Sequence, residues 1–520
     1  MKTHPLLIAL IVSLGGFLFG FDMGIISGVT EIAGPQFGLS DGQKGWVTSS
    51  PTFAAMFAMF AAGALSNSIG RKPVLVMIAI LYAISAVWSA FAGAYESLYI
   101  ARMIGGVAFG AALIIAPTYI AEISLAKNRG KLVSIQQLNI VLGFFAAFLS
   151  NWQLNGMLEN GAAGITEENV WRWMLGVESL PAVFYLMFLC LVPRSPRWLF
   201  TRGRTAEGHA VLQQMHGAEA GDVEAAAVRK SIDAAAGVVR GGYMELFNPK
   251  LGFVLFVGLA IGILQQSTGI NAVFFYATGI FKQTGIGNDA AFFSGVLLSL
   301  TNLAFTIVAI LLIDRLGRRP LMLAGIGGIA ISLLVCSYAF NQASFMLTDE
   351  NIQALGKTNG TSLAPEDLLQ MSKLADQEFD SDVAFKRKMK EALGDTVYGM
   401  NEGAILELAV RNLNAKLVLG GILAFIACFA FSLGPVMWVM LSELYPNRIR
   451  GVAIGVIGFV NSFTAWIVTQ VWPWELSNIG TATSFLIFGC IAVGGFFLLF
   501  FILPETKGRT LEELETELVK

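Results

Sequence analysis

The stretch Asn67-Ser68-Ile69-Gly70-Arg71-Lys72 recurs as Asp314-Arg315-Leu316-Gly317-Arg318-Arg319, and each copy lies between two long apolar runs. A second pair repeats in the same way, because Glu122 to Arg129-Gly130 matches Glu443 to Arg450-Gly451. The first pair is 247 residues apart and the second pair 321 residues apart. The difference, 74 residues, is the length of one polar block, 341–414, in the second half. A duplicated membrane unit with one insertion predicts a transporter built from two related halves.

The composition predicts a membrane protein. Of the 520 residues, 55% are hydrophobic and only 13% are charged, and the mean hydropathy is +0.66. A soluble chain carries about twice that charge. The net charge of −2 argues against a nucleic-acid partner. The four cysteines lie inside apolar runs without metal-ligand spacing, so we expect neither a metal nor a disulfide, and no cofactor.

About twelve runs of about 20 apolar residues are long enough to span a bilayer as helices. The sequence therefore predicts an all-α membrane protein with twelve transmembrane helices. The first run lacks a cleavage site and is expected to be retained as a helix. The predicted divisions are an N-terminal six-helix bundle (1–192), a linker with short helices (193–250), a C-terminal six-helix bundle (251–503) that contains the insertion 341–414, and a tail (504–520).

The basic residues predict the orientation of the chain in the cell membrane. Lys and Arg cluster in alternate short loops, such as Arg71-Lys72 and Arg318-Arg319, whereas the opposite loops contain acidic residues such as Glu31 and Glu96. Positive loops face the cytoplasm. Both termini, the linker and the tail are therefore expected in the cytoplasm, and the insertion 341–414 outside.

The first apolar run carries an acidic residue, Asp22, among glycines at every fourth position. The glycine spacing predicts close helix packing. A carboxylate near the bilayer centre costs a few kcal/mol and is rarely kept without a role. Arg102, at the start of the fourth run, is a candidate partner. The pair is either a static ion pair or a site at which Asp22 takes up a proton when the two separate.

Uncharged amides are concentrated in several of the other runs. Gln265, Gln266 and Asn271 lie in the seventh run, and further amides occur at Gln136, Gln137, Asn139, Asn302 and Asn461. Amides both donate and accept hydrogen bonds, which suits a neutral polyhydroxylated ligand. Each of them alone could equally join two helices. Trp438 follows Gly434-Pro435, where a helix break would turn the indole toward a cavity.

Charged residues at the cytoplasmic ends of the helices form a second set of candidates. Exposed ion pairs contribute little stability, but at an interface between the halves they can form a latch that exists in one conformational state only. The predicted latch residues are Arg71, Glu122, Arg129, Arg197, Asp314, Arg318, Arg319, Glu443, Arg450 and Glu505.

These motifs together resemble the sugar porters of the major facilitator superfamily along most of the chain. The motifs are Phe19 to Asp22, Gln265 to Asn271, Asp314 to Arg319, Gly434 to Pro446 and Pro504 to Arg509. Among relatives, the sequence is most similar to bacterial proton-coupled pentose and hexose symporters. The resemblance implies the major facilitator fold, with two pseudo-symmetric six-helix bundles and a functional monomer.

The resemblance also implies roles for individual residues. Asp22 would carry the transported proton with Arg102 as its partner, and Phe275 and Tyr276 would form the outer gate. Facilitators have an uncharged residue at the position of Asp22, which favours symport. The implied sugar-binding residues are Phe19, Gln137, Gln265, Gln266, Asn271, Asn302, Trp438 and Asn461.

The chain departs from the family pattern at three places. Asn67-Ser68 replaces the usual Asp-Arg, Arg194 replaces a Glu, and Ser462 replaces a pocket aromatic. The first two changes predict a weaker latch in the first half, which would favour opening to the cytoplasm.

The predicted function is uptake of a neutral hexose or pentose together with a proton. One alternative is a sugar uniporter of the same fold, in which Asp22 is only structural. A more remote alternative is a sugar receptor that does not transport. Such receptors carry long cytoplasmic tails, whereas we expect a tail of about 17 residues in this chain. The sequence shows no set of a nucleophile with a general base and no metal-ligand spacing, so we do not predict an enzyme. The identity of the sugar stays open.

Overall fold

The computed structural model describes residues 4–125, 127–236, 243–356, 363–446, 448–509 and 513, without the side chains of 234–236, 243 and 314. Within these residues, twelve helical segments are long and apolar enough to cross a membrane. Their order along the chain follows the two halves that the duplicated motifs predict.

The first half contains six spans, of which the last is broken in two. They are α1 (Pro5–Gln36), α2 (Asp41–Ile69), α3 (Arg71–Ala90), α4 (Tyr95–Ile123), α5 (Arg129–Glu159) and the pair α6 (Val170–Val177) and α7 (Ser179–Leu189).

Short helices link the two halves. They are α8 (Pro196–Thr201), α9 (Thr205–His216), α10 (Ala218–Ala236) and two 3₁₀ helices, Tyr243–Phe247 and Pro249–Leu251. We call the end of the bundle that carries them the linker end.

The second half begins with a seventh span in three pieces, α11 (Gly252–Ser267), α12 (Ile270–Phe275) and α13 (Ala277–Lys282). The following spans are α14 (Asn288–Leu316), α15 (Arg318–Asn341), the pair α20 (Ala415–Phe431) and α21 (Leu433–Leu444), α22 (Arg450–Asn478) and α23 (Thr481–Ile502).

The block 341–414, which we call the cap, lies between α15 and α20. Its elements are β1 (Ser344–Phe345), α16 (Asp349–Leu355), α17 (Pro365–Ser372), α18 (Asp382–Leu393), α19 (Asp395–Ala409) and β2 (Val410–Arg411). The two strands pair antiparallel. The end of the bundle that carries the cap is the cap end.

The duplicated motif marks the same turn in both halves. Gly70 separates α2 from α3 with φ +98°, and Gly317 separates α14 from α15 with φ +96°. A left-handed backbone of this kind strains any residue with a side chain. The glycine in each copy therefore lets two spans meet in a one-residue turn.

The glycine stripe of α1 packs α1 directly on α5. A side-chain carbon at Gly20 would stand 2.0 Å from the carbonyl oxygen of Ile140, and one at Gly143 would stand 2.0 Å from that of Phe17. The two backbones are thus in contact, as small residues permit in membrane helices. The packing interpretation of the stripe is confirmed, and it places Asp22 inside the first half.

Candidate transport site

A buried ion pair joins α1 to α4. Nη1 of Arg102 lies 3.0 Å from Oδ1 of Asp22, and the two side chains are 0% and 2% exposed. Nε of Arg102 also donates to the carbonyl oxygen of Val47 on α2, at 3.1 Å. The guanidinium therefore fixes three helices of the first half around one carboxylate.

The pair is incompletely satisfied. Within the described part of the chain, Oδ2 of Asp22 and Nη2 of Arg102 are buried without a hydrogen-bond partner. Unsatisfied buried polar atoms are costly and uncommon in stable cores. The free carboxylate oxygen is a position at which a proton can be accepted.

A third ionisable residue, Glu178, was missed in the sequence analysis. It lies between α6 and α7, is 2% exposed, and interacts electrostatically with both Asp22 and Arg102. The available signal was an acidic residue inside the sixth apolar run, the same signal that identified Asp22.

A network of three amides lies in the second half. Asn461 on α22 donates through Nδ2 to Oε1 of Gln265 and to the carbonyl oxygen of Gly262, both at 2.8 Å. Nε2 of Gln265 donates to the carbonyl oxygen of Leu433 at 2.8 Å. Gln265 and Asn461 therefore hold α11 against α21 and α22, which is the helix-joining role left open by the sequence.

Gln266 is placed differently. Its Nε2 lies 3.3 Å from Oδ1 of Asn461 and 3.3 Å from Oε1 of Gln265. Its own Oε1 is buried and has no hydrogen-bond partner among the described residues. The network thus ends in an acceptor that a ligand hydroxyl can satisfy.

The remaining predicted sugar-binding residues do not bond to this network in the described structure. Trp438 on α21 is 44% exposed, and its ring is 3.8 Å from the position of a side-chain carbon at Gly458. Gln137 is exposed, Asn271 is half-buried and Asn302 is buried. The helix break predicted near Gly434-Pro435 occurs at Ser432, between α20 and α21.

Aromatic rings connect the two halves beside this region. The ring of Phe19 is 4.7 Å from that of Phe109, and Phe144 lies 6.5 Å from Phe19 and 5.1 Å from Phe274 on α12. Phe275 and Tyr276 are buried, and the Tyr276 hydroxyl donates to the carbonyl oxygen of Thr469 at 3.2 Å.

The halves are joined at the cap end. The hydroxyls of Ser27 on α1 and Thr278 on α13 are 3.0 Å apart. Ser49 on α2 donates to Oε1 of Gln470 on α22 at 2.8 Å. Nε1 of Trp152 on α5 donates to Asp289 on α14 at 2.8 Å. Three pairs of spans from opposite halves therefore close this end.

The charges at the linker end pair within each half in this conformation. Arg71 pairs with Glu122 at 2.8 Å within the first half. Arg318 pairs with Glu443 at 2.9 Å within the second half. In this conformation these pairs stabilise each half separately and do not join the two.

The other predicted latch residues bind the linker, the tail or nearby backbone. Arg129 lies 4.0 Å from Glu224, and Arg197 donates to the hydroxyl of Ser231 at 3.4 Å. Nε of Arg450 donates to the carbonyl oxygen of Tyr445, and Nη2 of Arg319 donates to that of Phe500. The side chain of Asp314 lies outside the described residues.

Glu505 caps the turn of the second motif copy. The backbone N–H groups of Arg318 and Arg319 each donate to its carboxylate at 3.1 Å. Burial raises the pKa of Glu505, but donation from the N–H groups of Lys507, Arg318 and Arg319 outweighs this effect and lowers the pKa below its ordinary value.

Comparisons with known proteins agree on one family. The family described as "Sugar (and other) transporter" matches residues 8–361 and 396–518. The chain belongs to the sugar transporter family. The gap in this match, 362–395, falls inside the cap.

Individual sugar transporters are similar over nearly their whole length. The D-xylose-proton symporter of Escherichia coli (strain K12) is 30% identical, with 98% of this chain and 94% of that protein covered. The arabinose-proton symporter of Bacillus subtilis (strain 168) is also 30% identical, with 99% and 95% covered. The inward-open conformation of the xylose transporter XylE from E. coli superposes with a TM-score of 0.73 at 27% identity, covering 98% of this chain and 99% of that one.

The family assignment confirms the predicted helical major facilitator fold of a multi-pass membrane protein, to which the cap adds a short two-stranded sheet. The roles of the individual site residues are proposals that rest on the geometry above. The structure brings together Asp22, Arg102 and Glu178 in one half, and Gln265, Gln266 and Asn461 in the other.

Proposed function

We propose that the protein takes up a neutral monosaccharide, a hexose or a pentose, together with a proton by alternating access. The observation that carries this proposal is the ion pair of Asp22 and Arg102, which is buried inside a membrane span and leaves Oδ2 of Asp22 without a partner. The similar proteins named arabinose-proton and D-xylose-proton symporters support it.

The chemistry of the second half supports a neutral substrate. The network of Gln265, Gln266 and Asn461 offers an amide oxygen without a partner and no fixed charge. A charged substrate would require an opposite charge at this place, whereas sugar hydroxyls match amides. The full set proposed for the sugar is Phe19, Gln137, Gln265, Gln266, Asn271, Asn302, Trp438 and Asn461, with Phe275 and Tyr276 as the gate.

The proposed orientation puts the linker end and both termini in the cytoplasm and the cap outside. Contacts such as Ser27–Thr278 then close the outer side, which supports an inward-facing state. In the outward-facing state, protonation of Asp22 releases Arg102 and permits sugar binding. Loss of the proton to the cytoplasm restores the ion pair and resets the carrier. Glu178 provides a second carboxylate for the same proton exchange.

The membrane potential is sufficient for this coupling. A potential of about 150 mV supplies roughly 3.5 kcal/mol for each charge moved, which corresponds to a sugar gradient of a few hundredfold. We propose that the protein works as a monomer, without a cofactor, a catalytic activity or a nucleic-acid partner.

Facilitated diffusion by the same fold is the second candidate. The intact pair of Asp22 and Arg102, with Nε of Arg102 bound to the carbonyl oxygen of Val47, is equally compatible with this candidate, because a static ion pair has the same geometry. Only a coupled carrier accumulates sugar against its gradient.

Replacement of Asp22 by Asn in proteoliposomes separates the candidates. We expect Asp22→Asn to abolish sugar accumulation driven by a pH gradient while exchange of internal for external sugar continues. D-xylose, D-glucose, D-galactose and myo-inositol serve as test substrates. Asp233→Asn, at an exposed carboxylate of α10, is the matched control and should accumulate sugar normally. Persistent accumulation by Asp22→Asn would rule out its proton role.

A further inference from the structure

The cap has a hydrophobic core of its own. Phe385 on α18 and Tyr398, Ile405 and Leu406 on α19 are buried in it. The family match omits 362–395, which includes α17 and α18. The cap is therefore a folded unit, and its middle part lies outside the family match.

The cap is fixed to the second half. Oδ2 of Asp382 accepts hydrogen bonds from the backbone N–H of Thr481 at 3.0 Å and from its hydroxyl at 2.9 Å, at the start of α23. A side-chain carbon at Gly403 would stand only 2.7 Å from Oδ1 of Asn288 on α14. The cap must therefore move with the second half when the halves rotate.

Helix α19 also reaches across the interface to the first half. A side-chain carbon at Gly399 would stand 3.2 Å from the ring of Pro35, in the last turn of α1. Because glycine has no side chain, α19 can lie directly on the end of α1. The contact exists only while the end of α1 stays beside the second half.

Glu402, one turn further along α19, contacts one lysine and interacts electrostatically with lysines from two other parts of the molecule. Nζ of Lys386 in the cap lies 3.4 Å from its carboxylate, and the Lys386 side chain is mostly buried. Lys44 of α2 and Lys282 of α13 act on the same carboxylate. Lys282 also lies 3.6 Å from Glu31 of α1.

The lysines keep Glu402 charged. Burial raises the pKa of Glu402, but the ammonium groups of Lys386, Lys44, Lys282 and Lys390 outweigh burial and lower the pKa below its ordinary value. The carboxylate is therefore ionised throughout the neutral and mildly acidic range. Loss of one lysine partner leaves a half-buried charge less compensated, which is costly.

We propose that the cap is a clasp: Glu402 and the contact of Gly399 with Pro35 hold the first half against the second and favour the conformation closed at the cap end. Opening this end moves α1 and α2 away from α13 while the cap stays with the second half. Lys44 then leaves Glu402, and Glu31 leaves Lys282. The inference goes beyond transport of a sugar, because it concerns the balance of two conformations in the absence of substrate.

The test is a distance measurement across the cap end by double electron–electron resonance on the full-length protein without sugar. Spin labels are attached at Ala94→Cys in the first half and Ala290→Cys in the second, both exposed positions, after replacement of the four native cysteines. We expect Glu402→Gln to raise the ratio of open to closed distances about fivefold, the lower range of coupling between sites.

Lys44→Gln must have the same effect, because it removes the partner from the first half and leaves the fold of the cap untouched. Glu366→Gln changes an exposed carboxylate on α17 and is the control that should leave the ratio unchanged. Unchanged distances in Glu402→Gln and Lys44→Gln would overturn the proposal. An effect of Glu402→Gln alone would also overturn it, since Glu402 would then act only within the cap.

Discussion

Arg102 approaches Asp22 to 3.0 Å in the interior of the first half, and neither side chain reaches the surface. The only other hydrogen bond of the guanidinium described in the structure runs to the backbone of Val47. We therefore expect the position of α4 relative to α1 and α2 to depend on whether Asp22 is charged. Protonation of Asp22 removes its electrostatic attraction to Arg102. Proton binding would in this way be linked to the packing of three helices.

Replacement of Arg102 by Gln should destabilise the protein more than replacement of both partners. Removing one member of a buried ion pair leaves an uncompensated charge and costs about 3–5 kcal/mol. Arg102→Gln should therefore lower the melting temperature of the detergent-solubilised protein. The double variant with Asp22→Asn should recover much of the loss. Equal losses in the single and double variants would contradict coupling between the two residues.

Substitutions of Gln265 and Gln266 should have different effects, because we assign helix packing to Gln265 and sugar binding to Gln266. Gln265→Leu removes the side-chain donor to the Leu433 carbonyl oxygen and one of the two acceptors of Asn461 Nδ2. It should reduce the free energy of unfolding by about 1–3 kcal/mol. Gln266→Leu should leave stability nearly unchanged and weaken sugar binding roughly tenfold, the equivalent of one hydrogen bond. Thermal unfolding and the concentration dependence of sugar exchange measure the two effects. A reversed pattern would exchange the assigned roles.

Glu505 should contribute stability in a defined pH range. Its pKa is lowered by backbone N–H donors, so the ionised form is stabilised in the folded protein. This contribution is present above about pH 4.5, the ordinary value for Glu, and disappears as the pH falls through the lowered folded value. The melting temperature of wild type should exceed that of Glu505→Gln from pH 8 to pH 5, and the difference should vanish in stronger acid. A difference in melting temperature that grows toward acid pH would contradict a stabilising role of the ionised Glu505.

The first motif copy should be strengthened by restoring its family residues. Oδ1 of Asn67 accepts from Nη1 of Arg71 at 3.0 Å, and this position lacks the negative charge that the family motif carries. Asn67→Asp with Ser68→Arg should raise the fraction of molecules closed at the linker end, measured by crosslinking across that end. The matched single variant Ser68→Ala should have no effect. Unaltered crosslinking in the double variant would show that the missing charges do not set the balance.

Much of the fold could be predicted from the sequence, because the membrane imposes a simple pattern. Long apolar runs, the repeated Gly-Arg turns and the glycine stripe each depend on local geometry, and Gly70 and Gly317 adopt the same backbone conformation. The insertion was located from the spacing of the repeats alone. Its contacts with both halves were not predicted, since Pro35 and Gly399 lie far apart in the sequence.

Part of the candidate site could also be predicted because the membrane makes charged residues in apolar runs conspicuous. Asp22 and Arg102 stood out because charges in apolar runs are costly, and Glu178 carried the same signal without being recognised. The linker-end charges pair within each half in this conformation, and the latch between the halves stays a prediction. The basic residue that pairs with Glu122 or Glu443 depends on the conformation of the carrier. The same sequence is compatible with every conformation, so it does not specify the pairs of any single one.

Sugar-dependent proton movement is the most direct test of the central claim. Proteoliposomes containing wild-type protein and an internal pH-sensitive dye receive D-xylose, D-glucose, D-galactose or myo-inositol without an imposed gradient. The account predicts that the transported sugar acidifies the interior and that Asp22→Asn carries the same sugar without acidification. Sugar entry into wild-type vesicles with no change in internal pH would contradict it and would leave a uniporter.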